Sequence, residues 1–188
     1  MRWQTIRKLR VLDLDIENRP LSYWVPDRPS AEITAIAAGW TDQKRVECWM
    51  LTRKDKDPGR ILKRFVEMYD EADMVTSHFV RGHDLPIING ALLELGLPPL
   101  SSKLTSDTRK DLMRLKDMPV SQEALAEYFG LTHAKQHMSQ PAWRKANRLG
   151  EPGFKLTRAR VVGDVQQHKE LRPYLSPYLK PPVVWRPM

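Results

Sequence analysis

Three carboxylates alternate with apolar residues near the start of the chain. Residues 11–17 read Val-Leu-Asp-Leu-Asp-Ile-Glu, which places Asp13, Asp15 and Glu17 two residues apart. Successive side chains of a β-strand point to opposite faces, so on a strand all three would share one face. Strands select against Asp, and carboxylates are rarely buried without a partner. This row predicts a bound divalent cation, which prefers hard oxygen ligands. The alternative is the solvated face of an edge strand.

Two further carboxylates lie later in the chain. Asp84 stands in the segment His-Asp-Leu-Pro, where a predicted buried strand at 74–79 gives way to a helix. Asp164 lies on the predicted last helix. Together with Asp15 and Glu17 they can hold two divalent ions about 4 Å apart. Such an arrangement activates a water molecule and stabilises the leaving oxygen in phosphodiester cleavage.

The composition indicates one globular domain with an anionic partner. The chain has 188 residues, of which 41% are apolar and 29% charged. Lys and Arg number 31 against 23 Asp and Glu, and the net charge of +8 favours nucleic acid as the partner. We expect no membrane partner, because no apolar run has the length of a membrane span. The single cysteine, Cys48, excludes an intramolecular disulfide and fits a reducing compartment such as the cytoplasm.

Alternating and helical hydrophobic patterns define the elements that would position these carboxylates. Period-two alternation predicts four early strands, at 7–17, 21–25, 33–40 and 45–51, and two later ones, at 74–79 and near Leu104. Helical spacing with start or stop signals predicts helices from Asp57-Pro58 onward and at 85–95, 121–130, 141–149 and 156–175. A hairpin set followed by alternating helix and strand indicates a mixed α+β domain over residues 1–175. Residues 176–188 are predicted to be a proline-rich, extended tail.

The order and spacing of the carboxylates resemble those of the DEDD 3′–5′ exonucleases, a family with a ribonuclease H-like fold. Leu-Asp-Ile-Glu at 14–17 is similar to the first motif of that family, an apolar strand that ends in Asp-x-Glu. Asp84 before Leu-Pro, with Asn89 following, resembles the second motif. The pair Asp164-Val165 resembles the third. Each motif is weak alone, and their order along the chain makes the resemblance specific.

The resemblance spans residues 10–175 and implies a fold, an activity and a cofactor. The implied fold is α/β, a ribonuclease H-like central mixed sheet with antiparallel first strands and flanking helices. The implied activity is 3′–5′ hydrolysis of DNA, with two Mg²⁺ or Mn²⁺ ions held by the four motif carboxylates. Residues 135–139 and Trp143 resemble bacteriophage-type members, which implies replication or repair proteins as partners in a host cytoplasm. A ribonuclease or structure-specific nuclease, and a non-catalytic binding module, stay open as alternatives.

One position departs from the family pattern. Such exonucleases carry Tyr four residues, or His five residues, before the third-motif Asp, where this chain has Arg160 and an alanine. Arg stays protonated and cannot take a proton from water. His168, one helical turn after the third-motif Asp, is a candidate base, or alternatively a surface histidine. His78 and His83 are further candidates for the base, and His83 is also a candidate nucleic-acid contact.

Basic residues beside a tryptophan suggest where a nucleic-acid strand binds. Trp143 is followed by Arg144 and Lys145, and aromatic rings beside cations suit stacking on unpaired bases. The alternative is a core tryptophan between solvated charges. Arg160 either pairs with Asp164 one turn away or binds a substrate phosphate, and we favour the phosphate.

Three other carboxylates are predicted to have structural roles. Asp13 shares a strand face with the first motif but precedes it, so we expect a solvent-facing or salt-bridge role. Asp107 and Asp111 are interpreted as charges at the start of a helix, where a carboxylate is electrostatically favourable.

Overall fold

A six-stranded mixed sheet forms the centre of the computed structural model, which describes residues 8–20, 31–57, 59–133 and 137–187. The strands are β1 (Val11–Pro20), β2 (Ala31–Trp40), β3 (Glu47–Met50), β4 (Met74–Ser77), β5 (Lys103–Asp107) and β6 (Val183–Trp185). Their order across the sheet is β3-β2-β1-β4-β5-β6. β1 pairs antiparallel with β2 and parallel with β4, so it lies inside the sheet and not at its edge.

Helices cover both faces of this sheet. They are α1 (Arg60–Asp70), α2 (Asp84–Glu94), α3 (Thr108–Leu112), α4 (Gln122–Tyr128), α5 (Gln140–Asn147) and α6 (Glu151–Leu175), followed by a 3₁₀ turn at Ser176–Tyr178. α6 lies against β1, β2 and β3. No helix in the described ranges is long and apolar enough to cross a membrane.

The two faces of β1 differ in chemistry. Leu12, Leu14 and Ile16 are buried in the main core, together with Phe65 and Tyr69 of α1. The intervening residues point to the opposite face, towards α6, because side chains alternate along a strand. One face of β1 therefore stabilises the domain by apolar burial, and the other is available for polar contacts with α6.

Small residues of β2 form the floor on which α6 packs. Ala35 and Ala37 are fully buried and contact Val161 and Val165 of α6 in a separate apolar cluster. Side chains this small allow a helix axis to lie near the sheet. The closeness matters because α6 carries Asp164.

The predicted fold class, a mixed α/β domain with antiparallel first strands and flanking helices, is confirmed. The predicted strand at 21–25 lies outside the described residues. α6 begins at Glu151, five residues before the predicted start at 156, because Pro152 and Gly153 in its first turn conceal the helical pattern.

The proline-rich segment near the end of the chain contributes the last strand of the sheet. Val184 of β6 pairs antiparallel with Leu104 of β5, and the Thr105 hydroxyl donates to the Val183 carbonyl at 2.9 Å. The sequence predicts an extended conformation here but not the pairing, because a strand of three residues between prolines carries too little alternation.

The junction of α5 and α6 depends on a glycine. A Cβ at Gly153 would lie 2.3 Å from the Lys145 carbonyl oxygen, whereas a Cβ at Gly163 on the same helix meets no described atom within 4 Å. We expect Gly153→Ala to lower the free energy of unfolding by about 1–3 kcal/mol through overpacking. Gly163→Ala is the matched control, expected to be neutral or stabilising by up to about 1 kcal/mol. Urea unfolding of both variants tests this, and equal effects would contradict the close packing.

Candidate active site

Alternate residues of β1 face successive turns of α6. Residues two apart on a strand are separated by about 6.6 Å, and residues four apart on a helix by about 6.0 Å, so the two repeats stay in step over three pairs. The two elements run in opposite directions. The facing pairs are Asp13 with His168, Asp15 with Asp164, and Glu17 with Arg160.

The middle of this row is a cluster of carboxylates. One oxygen each of Asp15, Glu17 and Asp164 lie within 4.8 Å of one another. Like charges at such distances repel, and the repulsion grows with burial. Carboxylate oxygens are the ligands that Mg²⁺ and Mn²⁺ prefer, so the residues present fit such an ion.

Asp84 is the first residue of α2, directly after His83, which lines the same pocket as the cluster. It is 1% exposed, and Ser77 Oγ donates to its Oδ2 at 3.3 Å. Its Oδ1 is buried and accepts no hydrogen bond from any described residue, although His83 Nδ1 lies 3.6 Å away. A buried carboxylate oxygen without a hydrogen bond is costly. This oxygen therefore supports a cationic ligand, although Asp84 is not among the three carboxylates within 4.8 Å.

A pocket of about 350 Å³ opens onto the cluster of Asp15, Glu17 and Asp164. Its wall combines the acidic cluster with cationic and aromatic side chains, namely His78, Phe79, His83, Arg109, Trp143 and Arg160. Cations suit the phosphates of a nucleic-acid strand, and flat aromatic rings suit its bases. The pocket therefore has the chemistry to bind a phosphodiester next to the carboxylates.

Arg160 connects the acidic cluster to Trp143. Its Nε donates to Glu17 Oε1 at 2.5 Å, while Nη2 lies 4.0 Å from Asp164 Oδ2. The guanidinium carbon lies 5.1 Å from the centre of the Trp143 ring, which is a cation–π contact. The sequence offered Asp164 or a phosphate as partners of Arg160. The sequence did not indicate Glu17 as a partner of Arg160, because 143 residues separate the two.

His168 is enclosed and not on the surface. It is 2% exposed, with Nδ1 at 2.7 Å from Asp13 Oδ1 and Nε2 at 3.2 Å from Thr108 Oγ1. The alternative of a surface histidine is therefore wrong, because β1, α3 and α6 surround the ring. Both ring nitrogens contact protein groups, and His168 does not belong to the described pocket wall. This placement gives no support to His168 as the catalytic base.

Of the two roles predicted for Asp13, the salt-bridge role is confirmed and the solvent-facing one is wrong. It is fully buried, pairs with His168, accepts a hydrogen bond from the Thr41 hydroxyl and lies 3.9 Å from Arg172 Nη1. Its carboxylate is therefore surrounded by protein groups.

Asp107 and Asp111 have structural partners. Asp107 is the N-cap of α3, where its side chain accepts from Lys110 N at 3.0 Å, and it also accepts from Arg81 N at 2.9 Å. Asp111 accepts from Lys180 N at 3.1 Å and lies 3.5 Å from Arg81 Nη2. The prediction of helix-start charges is confirmed. Asp111 also holds the segment after α6 through its hydrogen bond from Lys180 N.

His78 lines the pocket with its ring nitrogens engaged. Nε2 lies 2.7 Å from the Val120 carbonyl oxygen, and since a carbonyl only accepts, Nε2 carries the proton. Nδ1 lies 2.9 Å from Thr108 Oγ1. These contacts fix the ring orientation and leave His78 poorly placed to exchange protons.

His83 is more accessible, with its side chain 45% exposed. The side-chain interaction with Asp84 raises the pKa of His83 above its usual value, burial opposes this, and the charges of Asp84 and Glu17 add to the rise. A higher pKa favours the imidazolium form. A positively charged ring at the pocket wall suits the binding of a phosphate group.

Phe79 and Arg109 are pocket residues that the sequence did not indicate. Phe79 adopts φ +91°, a conformation that is strained for a side chain of this size, and the Arg109 guanidinium carbon lies 4.6 Å from its ring centre. The signal that the sequence carries for Phe79 is its position as an aromatic residue shortly after a buried strand. Arg144 and Lys145, in contrast, are exposed on α5 beside Trp143 and do not belong to the described pocket wall.

The buried pair of Asp13 and His168 should contribute strongly to stability. We expect His168→Ala to lower the free energy of unfolding by about 3 kcal/mol or more, because it leaves a buried carboxylate without its principal partner. His133→Ala is the matched control, since His133 forms a comparable 2.7 Å pair with Glu170 in an exposed setting. That loss should stay below about 1 kcal/mol. Urea unfolding measures both, and similar losses would contradict the structural role of His168.

Comparison with known proteins gives a similarity to a solved structure. No protein-family model matches the chain, and no curated protein matches it. The chain is similar to the family B DNA polymerase of the hyperthermophilic archaeon Pyrobaculum calidifontis, with a TM-score of 0.70 and 19% identity. The similarity covers 94% of this chain and 26% of that chain, so the protein spans about a quarter of the polymerase. At this identity the similarity shows the fold alone, and the mixed sheet with its flanking helices fits a ribonuclease H-like fold.

Proposed function

We propose that this protein is a metal-dependent 3′–5′ exonuclease that hydrolyses phosphodiester bonds of DNA, with single-stranded DNA as the preferred substrate. The observation that carries the proposal is the carboxylate cluster of Asp15, Glu17 and Asp164 inside a pocket walled by cations and aromatic rings. Each part alone is common in proteins. Their combination matches the two requirements of phosphodiester hydrolysis, a site for divalent ions and a site for a polyanion.

The residues that would hold Mg²⁺ or Mn²⁺ are the three clustered carboxylates together with Asp84. Two such ions, when bound, supply an activated water molecule and stabilise the departing 3′ oxygen. Asp84 is included because its buried Oδ1 has no hydrogen-bond partner among the described residues. It comes from α2, so the site would join β1, α2 and α6.

The pocket wall would bind and orient the DNA strand. Arg160 carries positive charge next to the carboxylates, where the scissile phosphate would lie, and the raised pKa of His83 favours a second positive charge there. Trp143 and Phe79 offer aromatic faces for unpaired bases. Exposed cations on α5, such as Arg144, would attract the backbone with an affinity that falls as salt rises.

Loss of the carboxylates should abolish hydrolysis. We expect Asp15→Ala and Asp84→Ala each to lower the cleavage rate by about 10³-fold or more, since metal-ion catalysis contributes several kcal/mol to transition-state stabilisation. The assay uses 5′-labelled single-stranded DNA with Mg²⁺ or Mn²⁺, in which wild-type protein gives a ladder shortening from the 3′ end that EDTA abolishes. Glu67→Ala, which removes an exposed carboxylate on α1, is the control and should keep full activity. Undiminished cleavage by folded Asp15→Ala protein would disprove the assignment.

A nucleic-acid-binding module without catalysis is the second candidate. The ion pair between Arg160 and Glu17 favours it, because the guanidinium already neutralises one of the carboxylates. The absence of Tyr or His at the usual position before Asp164 points the same way. This candidate predicts DNA binding without any ladder in either metal. A ribonuclease or structure-specific nuclease would instead be identified by offering RNA and branched DNA.

A further inference from the structure

Glu17 has two competing uses. Its Oε1 accepts the hydrogen bond from Arg160 Nε at 2.5 Å, and one of its oxygens lies within 4.8 Å of ligand oxygens of Asp15 and Asp164. A guanidinium and a divalent ion are both cations. They repel each other at such distances, so the Arg160 pair and a metal at Glu17 weaken one another.

We propose that Arg160 is a nucleic-acid-operated gate on the metal site, an inference that rests on the proposed function. Without nucleic acid, the guanidinium pairs with Glu17 and competes with the divalent ion for that carboxylate. A backbone phosphate of the bound strand takes over the guanidinium and releases Glu17 to the ion. Arg160 thereby couples substrate binding to metal binding.

Trp143 gives Arg160 a second attachment that does not depend on Glu17. The guanidinium carbon lies 5.1 Å from the centre of the indole ring, and both side chains line the pocket. A guanidinium that lies over an aromatic ring still has in-plane N–H donors, for which a carboxylate and a phosphate are both suitable acceptors. The side chain can therefore exchange one acceptor for the other while it stays on the ring.

The accessibility of the facing pairs shows which side chain of α6 can respond to a ligand. His168 and Asp13, at one end of the row, are 2% and 0% exposed in their side chains. Arg160 and Glu17, at the other end, are 17% and 11% exposed and belong to the pocket wall. A nucleic-acid strand in the pocket can reach Arg160 but not His168. The exchange of a carboxylate for a phosphate is therefore confined to the end of the row at Glu17.

Coupling of this kind is reciprocal. If DNA raises the affinity for metal by some factor, metal raises the affinity for DNA by the same factor. We expect a factor of about ten, within the range of about 5 to 150 that is typical of coupled sites. The same competition predicts that removal of the guanidinium strengthens metal binding in the absence of DNA.

The test is calorimetric titration with Mn²⁺, with and without a phosphorothioate-linked single-stranded DNA tetramer that resists cleavage. Wild-type protein should bind Mn²⁺ about tenfold more tightly when the tetramer is present. Arg160→Ala and Arg160→Gln should bind Mn²⁺ about tenfold more tightly than wild type without DNA, and their coupling factor should fall at least threefold. Arg64→Ala removes an exposed arginine of α1 and should behave as wild type.

Two outcomes would overturn the gate. One is equal Mn²⁺ affinity of wild type and Arg160→Ala without DNA. The other is an unchanged coupling factor in both Arg160 variants. Cleavage of the labelled oligonucleotide by wild-type protein is measured separately. If the wild-type protein cleaves DNA and either of these two outcomes is found, the gate is rejected and the exonuclease assignment is retained. If DNA and Mn²⁺ binding are coupled but no nucleic acid is cleaved, the exonuclease assignment is rejected.

Discussion

The site depends on the agreement between the repeat of a strand and the repeat of a helix. Because two strand residues and four helix residues advance by nearly the same distance, a row of carboxylates on β1 meets a row of side chains on α6 without a gap. A slip of α6 by one residue would turn each side chain by about 100° and remove Asp164 from Asp15. The small residues Ala35 and Ala37 and the buried pair of Asp13 and His168 oppose such a slip.

The same row explains why the middle of the site suits a cation from solution. A strand inside a sheet cannot present three carboxylates to a helix unless their charge is compensated. At one end Asp13 contacts His168 and the guanidinium of Arg172, and at the other end Glu17 pairs with the guanidinium of Arg160. Between them, Asp15 meets Asp164, and a carboxylate cannot neutralise another carboxylate. The protein places a guanidinium near each end of the row, Arg172 beside Asp13 and Arg160 beside Glu17, and the candidate metal site is the carboxylate cluster around Asp15 and Asp164.

Sequence predicted the parts of the site that follow from local pattern. The shared face of Asp13, Asp15 and Glu17 follows from strand alternation alone, and the cap at Asp107 follows from its place before a helix. The partners of these carboxylates could not be predicted from local pattern, because they lie far away in the sequence. Asp13 and His168, for example, are separated by 155 residues. The resemblance to a family marked position 160 as unusual but gave no information on what the arginine contacts. The positive φ of Phe79 left no trace in composition or periodicity.

The backbone around Glu17 explains how its side chain can change partners while the strand stays in place. The register of β1 and β2 shifts between Glu17 and Asn18, and the Thr34 hydroxyl donates to the Glu17 carbonyl at 3.1 Å. Such irregularities re-aim side chains at the ends of strands and are frequent beside active sites. Here the backbone of Glu17 is held by β2 on one side of the shift, whereas its side chain reaches the pocket. A fixed backbone with an accessible side chain is the condition under which a carboxylate can exchange a guanidinium for an ion without disturbing Asp15, two residues earlier.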